Sequence, residues 1–379
     1  MIFWLLPQLT EWWDSLRVFH YIGVRSALAF GFAFVVAICL GRPLVTMLRR
    51  AGVGEDAGRS DDVEVGRIYE AAGKAGTPTM GGVFWMTAIL ASVLLFGRLD
   101  EPLVLLGAVL MVGMGTIGFL DDWVKWKREG GRNGLSRGAK FGASAVLAAW
   151  IVAAYWFLGD SDSGYPEVRR LYFPILKDLF AEPEALGWAG FAVFLAFETF
   201  VILACCHAVN VTDGLDGLAA GSSLAPLAVL SLAAYAVGNF TWSQYLHLPY
   251  IPGSGEVAVL GGAVLGATLG FLWFNGHPAE VFFGDSGALP LGAAIAYFAL
   301  VSKQEFALPV IAAVFVLEVG SSLLQIYWFK FTGGRRLFAK APLHHVWQLR
   351  GVPEQRIVLR FWIVSCICAA AGLLMIKVR

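Results

Sequence analysis

Charge is scarce in this chain. Asp, Glu, Lys and Arg make up 15% of its 379 residues, well below the roughly 25% of soluble domains. The 28 basic and 28 acidic side chains cancel to zero formal charge, which argues against nucleic acid as a partner, because such binders carry a basic excess or stripe. Cysteine is sparse too. Cys39, Cys205, Cys206, Cys366 and Cys368 sit in apolar runs without zinc or redox spacing and read as buried small hydrophobes. There is no low-complexity tail, no soluble stretch large enough to fold alone, and no internal repeat of the inverted kind found in many transporters. The start, MIFWLLPQLTEWWDSLRVFHY, lacks the basic leader of a cleavable signal peptide. Its tryptophans suggest that residues 1–21 form a short interfacial segment.

Apolar sequence is what the chain has in excess, at 58%. A helix crossing a hydrocarbon core of about 30 Å needs about 20 mostly apolar residues. Ten such runs are visible, near 22–47, 80–97, 102–120, 140–158, 187–206, 217–238, 256–274, 286–302, 306–330 and 353–376. They are expected to be helices, because in lipid only helices or closed barrels satisfy the backbone, and these runs do not alternate as barrel strands do. Very short links around Arg98 to Glu101 and around Lys303 to Glu305 predict helical hairpins, and Pro, Gly and aromatic residues at 159–186 and 239–255 suggest short surface elements. The expected fold class is an all-α polytopic membrane protein, with residues 22–379 forming a single ten-helix transmembrane domain.

Ten spans put both termini on one side and five loops on the other, roughly 48–79, 121–139, 207–216, 275–285 and 331–352. About 17 Lys and Arg residues belong to those loops and about 8 to the opposite face, so the positive-inside rule makes the loops cytoplasmic and both termini periplasmic. The acidic motifs all fall on the loop side, which predicts one site formed by cytoplasmic loops.

The organising motif is FFGDSG, residues 282–287, which sets Asp285 in a glycine-flexed turn between two apolar runs. A carboxylate at the edge of a span is costly and usually faces a cavity, a partner charge or a metal. Asp285 suits a hard cation such as Mg²⁺, which takes oxygen ligands from one or two carboxylates and from substrate phosphates. The pair Asp121 and Asp122, in GFLDDWVK, repel each other and need a cation or a shared proton to coexist. A plain helix end is the blander reading, but acids at a helix C-terminus oppose the macrodipole. In NVTDGLDGLAAG (210–221), Asp213 and Asp216 share a face if a helix starts there, and Asn210 and Thr212 add polar groups. An N-cap would account for one of those aspartates only.

Three further segments carry chemistry. WFNGHPAEVFFGDSG supplies Asn275, His277, Phe282 and Phe283, where an aromatic beside the turn could stack on a base. KAPLHHVWQLRG (340–351) pairs His344 with His345 between Lys340 and Arg350, which suggests phosphate contacts or proton transfer. GKAGTPTMGG (73–82) lacks the Walker spacing, but its glycines and Lys74 suit a neighbouring phosphate.

Taken in order, GTPTMGG, LDDWVK, NVTDGLDGL, FNGHPAEVFFGDSG and PLHHVWQLRG closely resemble the phospho-N-acetylmuramoyl-pentapeptide transferase family of the bacterial polyprenyl-phosphate N-acetylhexosamine-1-phosphate transferases, over about residues 22–376. The resemblance implies a Mg²⁺-dependent transfer of phospho-MurNAc-pentapeptide from UDP-MurNAc-pentapeptide to undecaprenyl phosphate, giving lipid I and UMP at the bacterial inner membrane. It makes Asp285 the magnesium-binding aspartate and Asp121 and Asp122 the essential acidic pair, one of which deprotonates the lipid phosphate. Asn210, Asp213, Asp216 and Asn275 match positions at the nucleotide cleft, Lys74, Lys125 and Lys140 match positions that contact phosphate or uridine, and Phe282 matches the aromatic against which uracil packs. His344, with a catalytic role, and His345, at the substrate, match the start of a cluster that usually has three histidines; here the third position is Val346. A homodimer is compatible with the resemblance. A related transferase using UDP-GlcNAc is the nearest alternative. A membrane transporter is a further one, although it would place its acids near the bilayer midplane.

Overall fold

The computed structural model describes residues 14–54, 74, 76–128, 134–159, 165–174 and 179–378. Helices dominate: α1 Ile22–Arg50, α2 Gly82–Phe96, α3 Pro102–Lys127, α4 Arg137–Leu158, α5 Trp188–Thr212, α6 Leu218–Val237, α7 Phe240–Leu246, α8 Val257–Asn275, α9 Asp285–Ser302, α10 Leu308–Ile311, α11 Ala313–Phe331, α12 Leu343–Leu349 and α13 Glu354–Val378. Among the described residues, nine helices are long and apolar enough to cross a membrane. The expected polytopic helical class holds, with two small additions in the segments expected to form surface elements. Strand β1, Leu171–Tyr172, pairs antiparallel with β2, Phe180–Ala181, and α7 starts on an Asn239 cap whose side chain accepts from the Trp242 N–H at 3.1 Å. Of the predicted interfacial segment, residues 1–13 lie outside the described residues and Asp14–His20 is a 3-10 helix.

The tenth expected span is α2, which is only 15 residues long and so rises about 22 Å. Its shortness has a local cause. The preceding extended segment pairs with the loop before α9: Phe282 N–H donates to Pro78 O at 2.8 Å, and Gly81 and Gly82 N–H donate to Phe282 O and Phe283 O at 2.9 and 3.1 Å. The backbone there is spent on that pairing rather than on another helical turn. Elsewhere the helices outrun the apolar runs. α3 continues to Lys127 and α5 to Thr212, so Asp121, Asp122 and Asn210 stand on helices instead of in loops.

α9 is the centre of the bundle. Every residue from Ser286 to Ser302 is buried, as expected for a helix apolar on all sides, and α2, α3, α5 and α6 pack around it. Small residues bring these helices to backbone contact, which is how helices gain packing energy without a hydrophobic drive from lipid. Gly118 of α3 lies on the Asp285 and Ser286 backbone, Gly82 of α2 on Ser286 and Gly287, and Gly292 of α9 on Cys205 and Cys206 of α5. Outside this core α8 packs along α1 and α6, and α13 lies on α6. The Arg98–Glu101 link forms its hairpin, with α2 and α3 in contact. The Lys303–Glu305 link does not produce a paired one: α11 finds its partners mainly in α5, α12 and α13. The reason is the break at Ala312 (φ −108°, ψ 31°), which separates α10 from α11 and redirects the chain.

At the end of the bundle away from Asp285, Arg25 of α1 forks onto Glu256, with both hydrogen bonds 2.7 Å long and both side chains buried. Lys303 turns with φ 58° and donates to Val168 O at 2.6 Å.

Candidate active site

Asp285 is the first residue of α9, preceded by Gly284 at φ 71°. A side chain at 284 would meet Asp122 Oδ2 at 2.6 Å and Thr79 Oγ1 at 2.7 Å, so the positive φ and the tight approach both require glycine. The turn delivers Asp285 to a helix N-terminus, where the macrodipole favours negative charge. The orphan N–H groups of that terminus are met from another helix: Asp122 Oδ2 accepts from Ser286 N–H at 3.0 Å.

Around Asp285 the charges alternate. Its Oδ2 takes Lys125 Nζ at 2.8 Å and a very short contact from Lys140 Nζ, and its Oδ1 accepts from Asn210 Nδ2 at 2.7 Å. Lys125 also reaches Asp121 Oδ2 at 2.6 Å and Asp122 Oδ1 at 3.5 Å, and Lys140 reaches Asp121 Oδ2 at 3.4 Å. Asp121 Oδ1 accepts from Leu135 N–H at 2.7 Å. The ends of four helices, α3, α4, α5 and α9, thus meet on three carboxylates and two ammonium groups. One oxygen from each of Asp121, Asp122 and Asp285 lies within 4.8 Å of the others. An all-oxygen anionic set of this kind suits a hard divalent cation, and the bridging ammonium groups show that the acids are arranged around positive charge. A cleft of about 180 Å³ opens beside them, bordered by Asp122, Lys125, Asn210, Asp213, Phe282 and Asp285. Asp121 and Lys140 stand behind this lining, engaged with it through Asp285 and Lys125.

A second group adjoins the cleft next to Phe282 and Leu215 of its lining. Lys74 Nζ pairs with Asp216 Oδ1 at 2.7 Å and with Glu354 Oε1 at 2.5 Å. Asp216 Oδ2 meets His277 Nδ1 at 2.9 Å and accepts from Ala279 N–H at 3.1 Å. Lys74 Nζ lies 6.0 Å from the centre of the Phe282 ring. Asn275 borders the cleft but spends its amide on the scaffold, accepting from Gly217 N–H at 3.0 Å and donating to Val281 O at 2.9 Å. Phe283, by contrast, is core, stacked on Phe271 with centroids 4.1 Å apart.

The histidines divide. His344 is buried, with Nδ1 on Glu318 Oε2 of α11 at 2.7 Å and Nε2 turned against Gly214. His345 pairs Nδ1 with Gln348 Oε1 at 2.7 Å. Burial, with a smaller contribution from the neighbouring His344, pushes the His345 imidazole from 6.5 down to about 4. The unfolded chain therefore binds the proton more readily than the folded one. His345 contributes stability that is fully present above pH 6.5 and is lost as pH falls toward 4, with a slope of at most about 1.4 kcal/mol per pH unit. Melting temperature measured across that window should fall with acidification, and His345→Gln should flatten the fall. An unchanged profile in the variant would remove His345 as the cause.

The structure brings Asp121, Asp122, Asp285, Lys125, Lys140 and Asn210 together and sets Asp213, Asn275 and Phe282 on the same cleft. Lys74 and Asp216 lie at its side, and the rings of His344 and His345 meet at a tilt of 56°, with centroids 4.2 Å apart, beyond Gly214. Sequence reasoning missed Glu318 and Glu354 and left His277 without a role. Glu318 carried a signal, an acid within an apolar run. Glu354 carried none, because a Glu after Pro353 at a helix start reads as an ordinary first-turn acid.

Comparison with known proteins accords with this geometry. The sequence profile of glycosyl transferase family 4 matches residues 103–303, which hold both aspartate pairs and Asp285. The first phospho-N-acetylmuramoyl-pentapeptide-transferase signature matches residues 74–84, the segment of Lys74 and the strand-like pairing before α2. Similar curated proteins include the phospho-N-acetylmuramoyl-pentapeptide-transferases of Desulfovibrio desulfuricans, 39% identical, and of Nitratidesulfovibrio vulgaris, 40% identical, each over 100% of both chains. The protein of that name from Aquifex aeolicus is 39% identical, again over 100% of both. With identity spread over its entire length and the acidic cluster inside the matched region, the chain belongs to the phospho-N-acetylmuramoyl-pentapeptide-transferase family within glycosyl transferase family 4.

Proposed function

We propose that the protein transfers phospho-MurNAc-pentapeptide from UDP-MurNAc-pentapeptide to undecaprenyl phosphate, releasing UMP and forming lipid I. The observation that carries this reading is Asp285, held at the N-terminus of a buried helix between two lysines and an asparagine, beside a cleft at the bundle end. Phosphoryl transfer rests on positioning and charge stabilisation more than on covalent chemistry, and this site offers both. A lipid phosphate and a soluble nucleotide meet where helix ends reach the membrane surface, and the loop-side excess of basic residues supports a cytoplasmic face for that end.

In the proposed step an oxygen of the lipid phosphate attacks the β-phosphorus of the nucleotide. A new pyrophosphate bond forms, the bond from the β-phosphorus to the bridging oxygen breaks, and UMP leaves with that oxygen on its α-phosphate. Asp285 would hold Mg²⁺, which would supply charge neutralisation at the substrate phosphates, with Asp121 and Asp122 completing the anionic set around it. Lys125 borders the cleft and lends its ammonium to the phosphates; Lys140, behind it, holds Asp285 in place. Asp122 is the acid of the pair that borders the cleft. With Oδ2 fixed by Ser286 N–H and Oδ1 at 3.5 Å from Lys125 Nζ, it is the carboxylate placed to take a proton from the acceptor phosphate. Asp213 and Phe282 line the nucleotide side. His344, oriented by Glu318, backs the Gly214 turn.

UMP release from UDP-MurNAc-pentapeptide should require both undecaprenyl phosphate and Mg²⁺ and cease with EDTA. Turnover with UDP-GlcNAc in place of the pentapeptide nucleotide would overturn the substrate assignment. Stoichiometric UMP release without lipid would replace direct attack by a covalent phospho-aspartate route.

A further inference from the structure

Glu354 stands apart from every motif that suggests chemistry, yet a single one of its oxygens is doubly engaged. Oε1 takes the Lys74 ammonium at 2.5 Å and the Asp216 N–H at 2.8 Å. Lys74 already has a carboxylate partner in Asp216, so charge balance alone does not call for a second one. Four segments distant in sequence converge here: Lys74 before α2, Asp216 before α6, His277 after α8 and Glu354 at the start of α13. The group adjoins the Phe282 ring, with Lys74 Nζ 6.0 Å from its centre.

The docking of α13 does not depend on this contact. Trp362 Nε1 donates to Gly217 O at 3.0 Å, and its ring covers Gly221. Ser365 Oγ donates to Ser222 O at 2.6 Å. Ile357, Val358 and Phe361 pack with Leu215, Leu218 and Val314. With α13 fastened lower down, the Glu354 carboxylate is left to fix two groups beside Phe282 of the cleft lining.

We propose that Glu354 is a positioning residue for the nucleotide, holding the Lys74 ammonium and the Asp216 turn in register with Phe282 so that the base and its neighbouring polar edge meet a preformed pocket. The inference rests on the proposed uridine-nucleotide reading of that pocket. Loss of that register weakens nucleotide binding by about tenfold, equivalent to about 1.4 kcal/mol.

The test is titration calorimetry of the full-length protein in detergent with UMP, together with steady-state transfer. Glu354→Gln should weaken UMP binding and raise KM for the UDP-sugar about tenfold, leaving kcat, KM for the polyprenyl phosphate and melting temperature near those of the unsubstituted protein. Glu354→Asp, which restores the charge, should recover part of the affinity. Lys74→Ala with Glu354→Gln should bind UMP no more weakly than Lys74→Ala alone. Three outcomes overturn the inference: unchanged UMP affinity in Glu354→Gln, a fall in kcat with KM constant, or equal rises in KM for both substrates with a lowered melting temperature. Phe282→Ala and Lys74→Ala separate this from the underlying reading. If both weaken UMP binding while Glu354→Gln does not, the pocket stands and the role of Glu354 falls; if neither does, the pocket reading falls.

Discussion

Asp285→Asn should lower transfer by about a hundredfold or more while the protein still folds, since removing one preorganised electrostatic group from an active site costs about that much. The substitution keeps the shape and removes the charge that Lys125 and Lys140 share. An amide also presents a donor to Lys140, Lys125 or Asn210, each of which is itself a donor toward position 285. Folding should survive because Asp121 still compensates both lysines and Asp122 still caps α9. UMP release measures the loss, and the melting temperature in detergent confirms the fold. Turnover within about tenfold of the unsubstituted protein would show that Asp285 is not the electrostatic centre of the reaction.

The second large effect lies in packing. Gly118→Val should destabilise the bundle by about 1–3 kcal/mol, toward the upper end for a branched side chain placed against backbone. Any Cβ at 118 would overlap the carbonyl of Asp285 and come within 2.7 Å of Ser286 N. α9 has no room to retreat, because Gly82 and Gly292 bring α2 and α5 to its backbone as well. The strain is relieved only by moving the residue that carries the carboxylate. A displacement of about 1 Å costs on the order of a hundredfold in rate, so UMP release should fall further than stability alone explains. Gly142→Ala, where a Cβ meets nothing within 4 Å, is the control. It should leave transfer unchanged and stabilise α4 slightly, by up to about 1 kcal/mol. Equal activity in both variants would show that the α3–α9 contact does not place Asp285.

Much of this site follows from local chemistry. Carboxylates bordering apolar runs are costly wherever the chain goes, so Asp121, Asp122, Asp213, Asp216 and Asp285 declared themselves before any fold was known. Length and hydropathy alone called for a helical bundle, and alternating direction called for the acids to share an end. Other features were out of reach of such rules. The shortness of α2 depends on pairing between residues 78–82 and 282–283, some 200 positions apart in the chain. The extension of α3 and α5 past their apolar runs depends on distant partners for the polar groups they carry, Lys140 for Asp121 and Asp285 for Lys125 and Asn210. Glu318 and Glu354 acquire meaning only through His344 and Lys74, which lie 26 and 280 residues away.

By itself, then, the sequence determined the class of fold, the acidic residues that matter and the family whose motifs they form, because each is written in short runs of residue type and spacing. Tertiary structure alone decided which acids face the cleft, which stand behind it, and which distant carboxylates hold the lysine and the histidine. Those are matters of distances of 2.5 to 2.8 Å between side chains on different segments of the chain, and they are set by how α9 is enclosed, which no local pattern encodes.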